Sequence, residues 1–366
     1  MTIELENISK VVGGEVHLDD LSLRMEAGSF NILLGRTLAG KTTVMRIMAG
    51  LEQPDGGRVL EDGRDVTGLT VRKRSVAMVY QQFINYPAMT VYQNIASPLR
   101  LAGVARKEID RRVRETAEMM GMSHLLDRTP AELSGGQQQR TAMARALVRD
   151  SKLLLLDEPL VNLDYKLREG LRQELREILK VRDSVVVYAT TEPQEALILG
   201  GSLTVLHEGR VEQSGPTHNV YRNPRTIEVA RIFSDPPMNL ASGRIMDGEV
   251  RVGEHRGIPL PTHLADLAPG KYIFGLRPHH LSPQQQQNNG VVIDGHCELT
   301  EISGSLSFTH INDGENSWVA QVPGVFEAHV GQRLTAYANP AKLFAFSPSG
   351  TLARAPGNGA SAGGVH

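Results

Sequence analysis

The segment from residue 30 to residue 50 constrains the fold of this chain more than any other feature. FNILLG (30–35) is a short apolar run that ends in glycine, which is typical of a buried strand. GRTLAGKT (35–42) matches GxxxxGK[ST], and a helix is predicted from Lys41 until Gly50 stops it. Strand, glycine-containing loop and helix in that order form a phosphate-binding loop, because the loop amides and the helix N-terminus point at the phosphates. A glycine turn with a surface lysine is the alternative, and the flanking strand and helix disfavour it.

Two acidic residues follow a later strand. LLLLDEP (153–159) places Asp157 and Glu158 at the end of a buried apolar run. In a chain that also has a phosphate-binding loop, these carboxylates have a defined task. Lys41 of the loop would add positive charge at the phosphates, and the Thr42 hydroxyl and Asp157 would bind Mg²⁺. Glu158 would orient and deprotonate the attacking water. An isolated acidic pair is usually a turn, but with the phosphate loop it predicts Mg²⁺-dependent hydrolysis of ATP.

A second anion site is predicted at LSGGQQQR (133–140). Ser134 is a good N-cap, and Gly135 and Gly136 let backbone approach a ligand closely. One chain does not need two γ-phosphate sites, so this segment is predicted to contact ATP bound to another subunit. On spacing alone, an ordinary helix cap is the favoured alternative.

Composition limits the class of protein. The chain has 366 residues, enough for two domains, with 40% hydrophobic and 22% charged residues and a net charge of −2. That balance argues against a nucleic-acid binder, and the run at 72–74 (RKR) is predicted to be a solvated turn. Cys297 is the only cysteine, which excludes an intrachain disulfide and suits a reducing compartment. No apolar run reaches the roughly 20 residues of a membrane span and the N-terminus lacks signal-peptide character, so we expect a cytoplasmic protein that meets a membrane only through partners.

The succession of patterns predicts an α/β domain followed by a β domain. SVAMVYQQ (75–82), KLLLL (152–156) and SVVVYA (184–189) are predicted strands, residues 87–150 a helical insertion, and 165–180 an amphipathic helix. SDPPMN (234–239) marks the domain boundary, and short alternating segments after it predict a small β-barrel or sandwich. The predicted limits are 1–235, 236–354 and a disordered tail over 355–366. His279 and His280 are predicted to lie on opposite sides of a strand and to chelate metal poorly.

These motifs, in this order, resemble the nucleotide-binding subunits of ABC transporters. The resemblance covers nearly the whole chain: residues 1–235 resemble the ATPase domain of the P-loop NTPase fold, and 236–350 resemble the OB-like regulatory domain of carbohydrate-type importers, including FGLRPHHL (274–281). Within that group, GGEVH (13–17), YQQFINYP (80–87) and YATTEP (188–193) are most similar to bacterial glycerol-type importers.

The resemblance implies roles by position. Gln81 would sense Mg²⁺ and the attacking water, and the stretch after it, to about Val91, would meet coupling helices of the membrane subunits. Asp164 would communicate across a dimer of ATPase domains. The residues implied to contact the partner's ATP are Ser134, Gly135, Gly136 and Gln137. The residues implied to bind this chain's own ATP are Gly35, Arg36, Thr37, Leu38, Ala39, Gly40, Lys41, Thr42, Thr43 and Val12.

Three positions depart from the family pattern. Leu38 replaces a glycine in the middle of the phosphate loop, so ATP binding should persist if Leu38 accepts the local backbone angles. Val12 lies where an aromatic residue normally stacks on adenine. The absence of that aromatic ring is expected to cost about 1–3 kcal/mol of ATP binding if no other side chain stacks on the base. Thr191 replaces the switch histidine that contacts the γ-phosphate; a hydroxyl donates a hydrogen bond but supplies no imidazole chemistry.

The sequence therefore predicts the ATPase subunit of an importer, with ATP and Mg²⁺ as ligands. It would work at the cytoplasmic face of the membrane with two permease subunits and, indirectly, an extracytoplasmic solute-binding protein. The expected cargo is a small polyol or sugar, with glycerol as the specific candidate. The partner ATPase would be a different, histidine-bearing subunit, or a second copy if Thr191 suffices. A regulatory subunit with little hydrolysis of its own is the alternative, and a soluble non-transport ABC ATPase is the third.

Overall fold

The computed structural model describes residues 1–28, 30–82, 84–161, 168–170, 172, 175, 184–253, 257–284 and 290–357. Two compact units make up the chain, Met1–Thr217 and His218–His366. The domain limit predicted near residue 235 lies inside the second unit and stays a prediction. The helix predicted over 165–180 and the predicted disordered tail lie mostly outside the described residues.

Strands of the first unit form two sheets. The strands are β1 (Thr2–Val12), β2 (Glu15–Glu26), β3 (Phe30–Leu34), β4 (Gly56–Glu61), β5 (Arg64–Asp65), β6 (Val76–Val79), β7 (Leu153–Asp157), β8 (Val185–Thr190), β9 (Ser202–His207) and β10 (Arg210–Pro216). The smaller sheet has the order β2-β1-β4-β5, and the larger has the order β10-β9-β3-β8-β7-β6.

Parallel pairing in the larger sheet positions the site. The pairs β9–β3, β3–β8, β8–β7 and β7–β6 are parallel, so their carboxyl ends meet at one edge. Every residue of β7 and β8 is buried, as expected for apolar strands covered on both faces. The sequence prediction that 152–156 and 184–189 form central parallel strands is confirmed. The segments that follow β3, β7 and β8 meet at that edge, where open α/β sheets bind their ligands.

Helices cover this sheet and form the predicted helical insertion. They are α1 (Lys41–Ala49), α2 (Val91–Leu101), α3 (Arg106–Met119), α4 (Gly135–Leu147) and α5 (Pro193–Leu199), with 3₁₀ turns at Val71–Lys73, Ser123–Leu125 and Pro130–Glu132. α1 ends at Gly50, whose φ of 70° closes the helix as the sequence predicted. The α3 residues Ile109, Val113 and Ala117 are buried at their four-residue spacing.

Arg74 is not the solvated residue that the sequence predicted. Its side chain is only 7% exposed, and its guanidinium donates to five backbone carbonyls. Two of these carbonyls, of Ile47 and Met48, belong to the last turn of α1, at 3.1 and 2.7 Å. Burial lowers the pKa of Arg74, opposed by the charges of Glu61 and Asp65. Arg74 therefore closes the C-terminus of the helix whose first residue is Lys41.

The second unit is built from β strands, as predicted. They are β11 (Asn239–Met246), β12 (Glu249–Val252), β13 (Ile258–Pro259), β14 (Gly270–Leu276), β15 (Leu281–Ser282), β16 (Val291–Ile302), β17 (Leu306–Asn312), β18 (Ser317–Pro323), β19 (Arg333–Ala338), β20 (Phe344–Phe346) and β21 (Leu352–Arg354). Short helices Thr217–Arg222 and Ile227–Ile232 precede them, and 3₁₀ turns lie at Thr262–Leu264, Pro278–His280 and Pro340–Lys342. The sheets have the orders β13-β12-β11-β14-β20-β21 and β15-β19-β16-β17-β18. Residues such as Phe274, Ile293 and Trp318 form one core between them, which gives the OB-like architecture expected.

Candidate active site

The loop between β3 and α1 is held tight by glycine. Gly40 has φ of 98°, and a Cβ there would lie 2.8 Å from the Leu18 side chain and 2.9 Å from the His17 carbonyl oxygen. A Cβ on Gly35 would lie 2.5 Å from the Leu206 carbonyl oxygen. Both positions exclude any side chain, so the backbone of the loop keeps the curvature that a phosphate cradle requires.

Leu38 adopts the backbone conformation of the glycine that it replaces. Its φ is 66°, in the left-handed region, where a residue with a Cβ is strained by about 1–2 kcal/mol. Its side chain is 92% exposed and gains little packing to offset that strain. The loop thus keeps the backbone shape that the motif requires despite the substitution.

Lys41 is buried beneath the loop and pairs with Glu158. Its ammonium donates to the carbonyl oxygens of Gly35 at 2.8 Å and Arg36 at 3.1 Å, and lies 3.3 Å from Glu158 Oε1. Burial lowers the pKa of Lys41, while the Glu158 and Asp157 carboxylates oppose that shift. The result is a fixed cation, only 5% exposed, at the start of α1.

The two carboxylates after β7 have different partners. Asp157 accepts a hydrogen bond from the Thr42 hydroxyl at 2.9 Å, and burial raises its pKa. Glu158 accepts one from Gln81 Nε2 at 3.1 Å. The backbone of Glu158 has φ of 44°, and its amide donates to the Ala189 carbonyl at 3.1 Å. Such strain at a non-glycine residue persists where several contacts determine it, and it is concentrated at functional sites.

A cleft of about 1000 Å³ opens over these residues. Its lining includes the loop from Thr37 to Thr43, together with Gln81 and Glu158. Gly35, Arg36 and Asp157 are not among the described lining residues, but Lys41 donates to the carbonyl oxygens of Gly35 and Arg36, and Thr42 donates to Asp157. Val12 and Thr191 are not among the described residues of the lining.

His17 was missed by the sequence prediction. It lines the same cleft, and its Nδ1 lies 3.3 Å from the Thr43 hydroxyl. The neighbouring Val16 is 61% exposed and also lines the cleft, whereas Val12 is 41% exposed in β1, opposite Glu15. The role of His17 depends on the hairpin of β1 and β2 facing the phosphate loop. That arrangement is recognised only in the three-dimensional structure.

The donor set suits Mg²⁺ rather than a metal held by protein alone. In the described ranges no three His, Cys, Asp or Glu side chains form a cluster able to hold an ion. Thr42, Asp157 and Gln81 offer hard oxygen ligands close to the phosphate loop. Mg²⁺ is usually bound in this way, by one or two carboxylates together with substrate phosphates and water.

The segment predicted to serve a second ATP lies on α4 and forms a capping box. Gln137 N donates to the Ser134 hydroxyl at 3.4 Å, and Ser134 N donates to Gln137 Oε1 at 3.0 Å. Ser134 and Gly135 are exposed, and Gly136 is half-buried. These residues do not line the described cleft. The structure therefore brings the phosphate loop and both carboxylates together and leaves the start of α4 facing outward.

α4 is attached to the segment that follows Gln81. Asn85 Nδ2 donates to the Gln138 carbonyl at 2.8 Å. Arg145, two turns further along the helix, donates to the Ile84 carbonyl and lies 4.9 Å from the centroid of the Tyr86 ring. Ile84 and Tyr86 are 58% and 44% exposed.

The backbone around Thr191 is fixed by a buried acidic residue. Glu195 is 4% exposed and accepts hydrogen bonds from the Tyr188 hydroxyl at 3.1 Å and the Thr190 hydroxyl at 2.7 Å. Burial raises its pKa. Thr190 Oγ1 in turn accepts from Glu192 N at 3.0 Å. Thr191 follows β8 and is half-buried; Asp164 lies outside the described residues.

Comparison with known proteins identifies the class. The family model of the ABC transporter matches residues 18–161. The trehalose/maltose import ATP-binding protein MalK of Thermococcus litoralis is 38% identical over 87% of this chain and 90% of that protein. The chain belongs to the ATP-binding proteins of ABC transporters and is an ABC-type ATPase.

Two further comparisons agree with this assignment. The sn-glycerol-3-phosphate import ATP-binding protein UgpC of Cupriavidus necator is 34% identical over 94% of this chain and 97% of that protein. A solved structure, the dimeric post-hydrolysis state of the ATP-binding cassette MJ0796 bound to ADP and Pi, matches with a TM-score of 0.54 and 28% identity, over 59% of this chain and 98% of that one. None of the helices in the described ranges combines the length and apolar character needed to cross a membrane.

Proposed function

We propose that this chain powers import of a small polyol or sugar, with glycerol as its cargo, paired with a second and different ATPase subunit. One observation carries the pairing. The phosphate loop and Glu158 line a single cleft, with Asp157 hydrogen-bonded to Thr42 of that loop, whereas the Ser134 end of α4 is exposed and does not line the cleft. A second ATPase subunit, bound face to face, would supply the missing contact at each nucleotide.

Each residue of the cleft has a separable task. Lys41 and the loop amides would bind the phosphates, and Thr42, Asp157 and Gln81 would hold Mg²⁺. The ion, when bound, neutralises phosphate charge. Glu158 would accept a proton from water, since its carboxylate already has a fixed position through Gln81 at 3.1 Å.

Lys41 also couples phosphate binding to Glu158. An ammonium has three N–H donors; two go to loop carbonyls and the third faces Glu158. A phosphate oxygen that shares the third donor would weaken the Lys41–Glu158 pair and free the carboxylate to act on water. Glu158→Gln should therefore bind ATP more tightly while hydrolysis falls by a factor of about 100 or more.

The unequal pairing follows from Thr191. A hydroxyl there cannot provide the charge or the proton chemistry of imidazole, so this chain's own site would be the slower one. Its Ser134–Gln137 segment would complete the faster site on the partner. Strained Leu38 favours the same interpretation and also the second candidate, a regulatory subunit with little hydrolysis of its own.

The cargo and location rest on resemblance. The relatives named above are import ATP-binding proteins for trehalose/maltose and for sn-glycerol-3-phosphate, which supports a small polyol or sugar as the cargo. The chain would bind two permeases at the cytoplasmic face of the membrane, through the exposed apolar residues Ile84 and Tyr86. An extracytoplasmic binding protein would deliver the cargo to those permeases.

Affinity purification from detergent-solubilised membranes tests the assembly. Two permeases and a second, histidine-bearing ATPase are expected to co-purify with the tagged chain. Permeases with this ATPase alone would establish a homodimer and remove the unequal pairing. An intact preparation without permeases would refute transport. Uptake of labelled glycerol by cells lacking this chain, with maltose as the comparison, tests the cargo.

Substitution at Thr191 tests the catalytic part. Thr191→His in the purified assembly should raise ATP hydrolysis about tenfold, because it restores an imidazole beside the phosphate. Thr191→Ser keeps the hydroxyl and serves as the matched control. Equal rates in all three proteins would show that Thr191 is adequate for catalysis.

A further inference from the structure

Two histidines and a lysine converge in the second unit, outside the nucleotide cleft. The sequence placed His279 and His280 on opposite sides of a strand, and that prediction is wrong. They lie in the 3₁₀ turn Pro278–His280, which begins with a proline and closes with a hydrogen bond from His280 N to the Arg277 carbonyl at 2.9 Å. The turn brings the two ring centroids to 4.2 Å.

A pocket of about 180 Å³ opens beside these rings, and we call it the basic pocket. Its described polar lining consists of His279, His280, Ser282, Tyr337, Asn339 and Lys342. Lys342 ends a second 3₁₀ turn, Pro340–Lys342, whose first residue is preceded by the capping side chain of Asn339. Two 3₁₀ turns therefore bring the three basic side chains to the lining of one pocket.

No acidic side chain balances this charge among the described residues. The described lining contains neither Asp nor Glu, and no described carboxylate lies within 4.0 Å of the Lys342 ammonium. Arg277 is near, but its guanidinium is committed to the carbonyls of Phe233 at 2.8 Å and Tyr221 at 2.7 Å. Burial, together with the charges of His279, Lys342 and Arg277, lowers the pKa of His280 to about 4.

We propose that the basic pocket binds a small oxyanion of the phosphate class, either free phosphate or the phosphate group of a small organic ester. The tetrahedral oxygens would accept hydrogen bonds from the Lys342 ammonium, the imidazole N–H groups and the Tyr337 hydroxyl. Two histidines without a third ligand in the described ranges fit an anion better than a metal ion. An adjoining cavity of about 360 Å³, also lined by His279, His280 and Lys342, would hold the organic part of an ester.

Calorimetric titration of the full chain tests the proposal. Because the phosphate loop also binds phosphate, the titration uses a Lys41→Ala background. Saturable binding of inorganic phosphate is expected there, and Lys342→Gln and His280→Gln should each weaken it about tenfold or more. Lys271→Gln removes an exposed charge from β14 in the same unit and should leave the affinity unchanged. Circular dichroism confirms that each variant is folded.

Two further arms identify the ligand and the chemistry. A three-carbon phosphate ester that binds at least threefold tighter than inorganic phosphate identifies an organic ligand, and equal affinity identifies free phosphate. Sulfate keeps its charge between pH 6.5 and pH 4.5, so tighter sulfate binding at pH 4.5 would report proton uptake by His279 and His280, whose pKa values lie below 6.5 and which face Lys342, Arg277 and Tyr337. A purely structural role for the histidines would not change this pH profile.

Three results would overturn the proposal. The first is no saturable phosphate binding up to about 10 mM in the Lys41→Ala background. The second is equal affinity in Lys342→Gln and Lys271→Gln. The third is sulfate binding that does not change between pH 6.5 and pH 4.5. Each result leaves the proposed transport function untouched, because that function rests on the nucleotide cleft of the first unit.

Discussion

Arg74 offers the sharpest test of how the phosphate-loop helix is held. Its five hydrogen bonds join the end of α1 to the segment between β5 and β6. Arg74→Lys keeps the charge but cannot match a fork of five donors, and it buries a more strongly hydrated cation. Several carbonyls lose their donor at about 1 kcal/mol each or more, so the free energy of unfolding should fall by about 3 kcal/mol. Arg74→Met should cost a similar amount, since the lost donors are partly offset by removal of a buried charge.

Urea unfolding followed by circular dichroism measures this effect. Fluorescence of the single tryptophan would report the wrong unit, because Trp318 lies in the second. With a slope near 2 kcal/mol/M, a loss of 3 kcal/mol lowers the midpoint of the first unit by about 1.5 M. Arg72→Lys, an exposed neighbour, should change it by less than about 0.5 kcal/mol. If Arg74→Lys behaves like Arg72→Lys, the guanidinium fork is not what secures the helix.

Three other changes have predictable outcomes. Leu38→Gly should raise the free energy of unfolding by about 0.5–1 kcal/mol, because relief of left-handed strain exceeds the entropy gained by the unfolded chain; a loss in urea unfolding would show that the exposed side chain packs. Arg277→Met should destabilise the second unit by about 2–4 kcal/mol, measured by tryptophan fluorescence, since two carbonyls lose a charged donor; a change below 1 kcal/mol would refute this. His280 has a folded pKa of about 4, below its unfolded value near 6.5, so the unfolded chain binds more protons and stability should decline as pH falls from 6.5 to 4. Allowing for solvent exposure, the loss is about 1 kcal/mol, and His280→Gln should flatten the pH profile of the melting temperature; a profile equal to that of the unmodified chain would refute this.

The framework of the first unit could be predicted because local and global signals agree. Apolar runs too short for helices gave the central strands, and glycine at both ends of the loop gave its curvature. The same logic placed Asp157 and Glu158 at the end of β7, since a carboxylate pair after a buried strand must emerge at the sheet edge.

Other features depend on partners that are distant in the sequence. Arg74 lies in a basic run that is typical of a surface, and only the fold brings the carbonyls of α1 to it. His279 and His280 follow alternating residues of a strand, but Pro278 starts a 3₁₀ turn and places both rings on one side. The contribution of His17 arises across a hairpin, where no spacing along the chain reveals it.

The double attachment of α4 has a mechanical consequence. Asn85 binds the carbonyl of Gln138 in the first turn, and Arg145 binds the carbonyl of Ile84 seven residues later, about 10 Å along the axis. A single contact would let the helix pivot freely, whereas two separated contacts fix its direction. A rotation of the segment at 84–86 would therefore rotate α4 as one body. The end of the helix that carries Ser134 would move together with that segment.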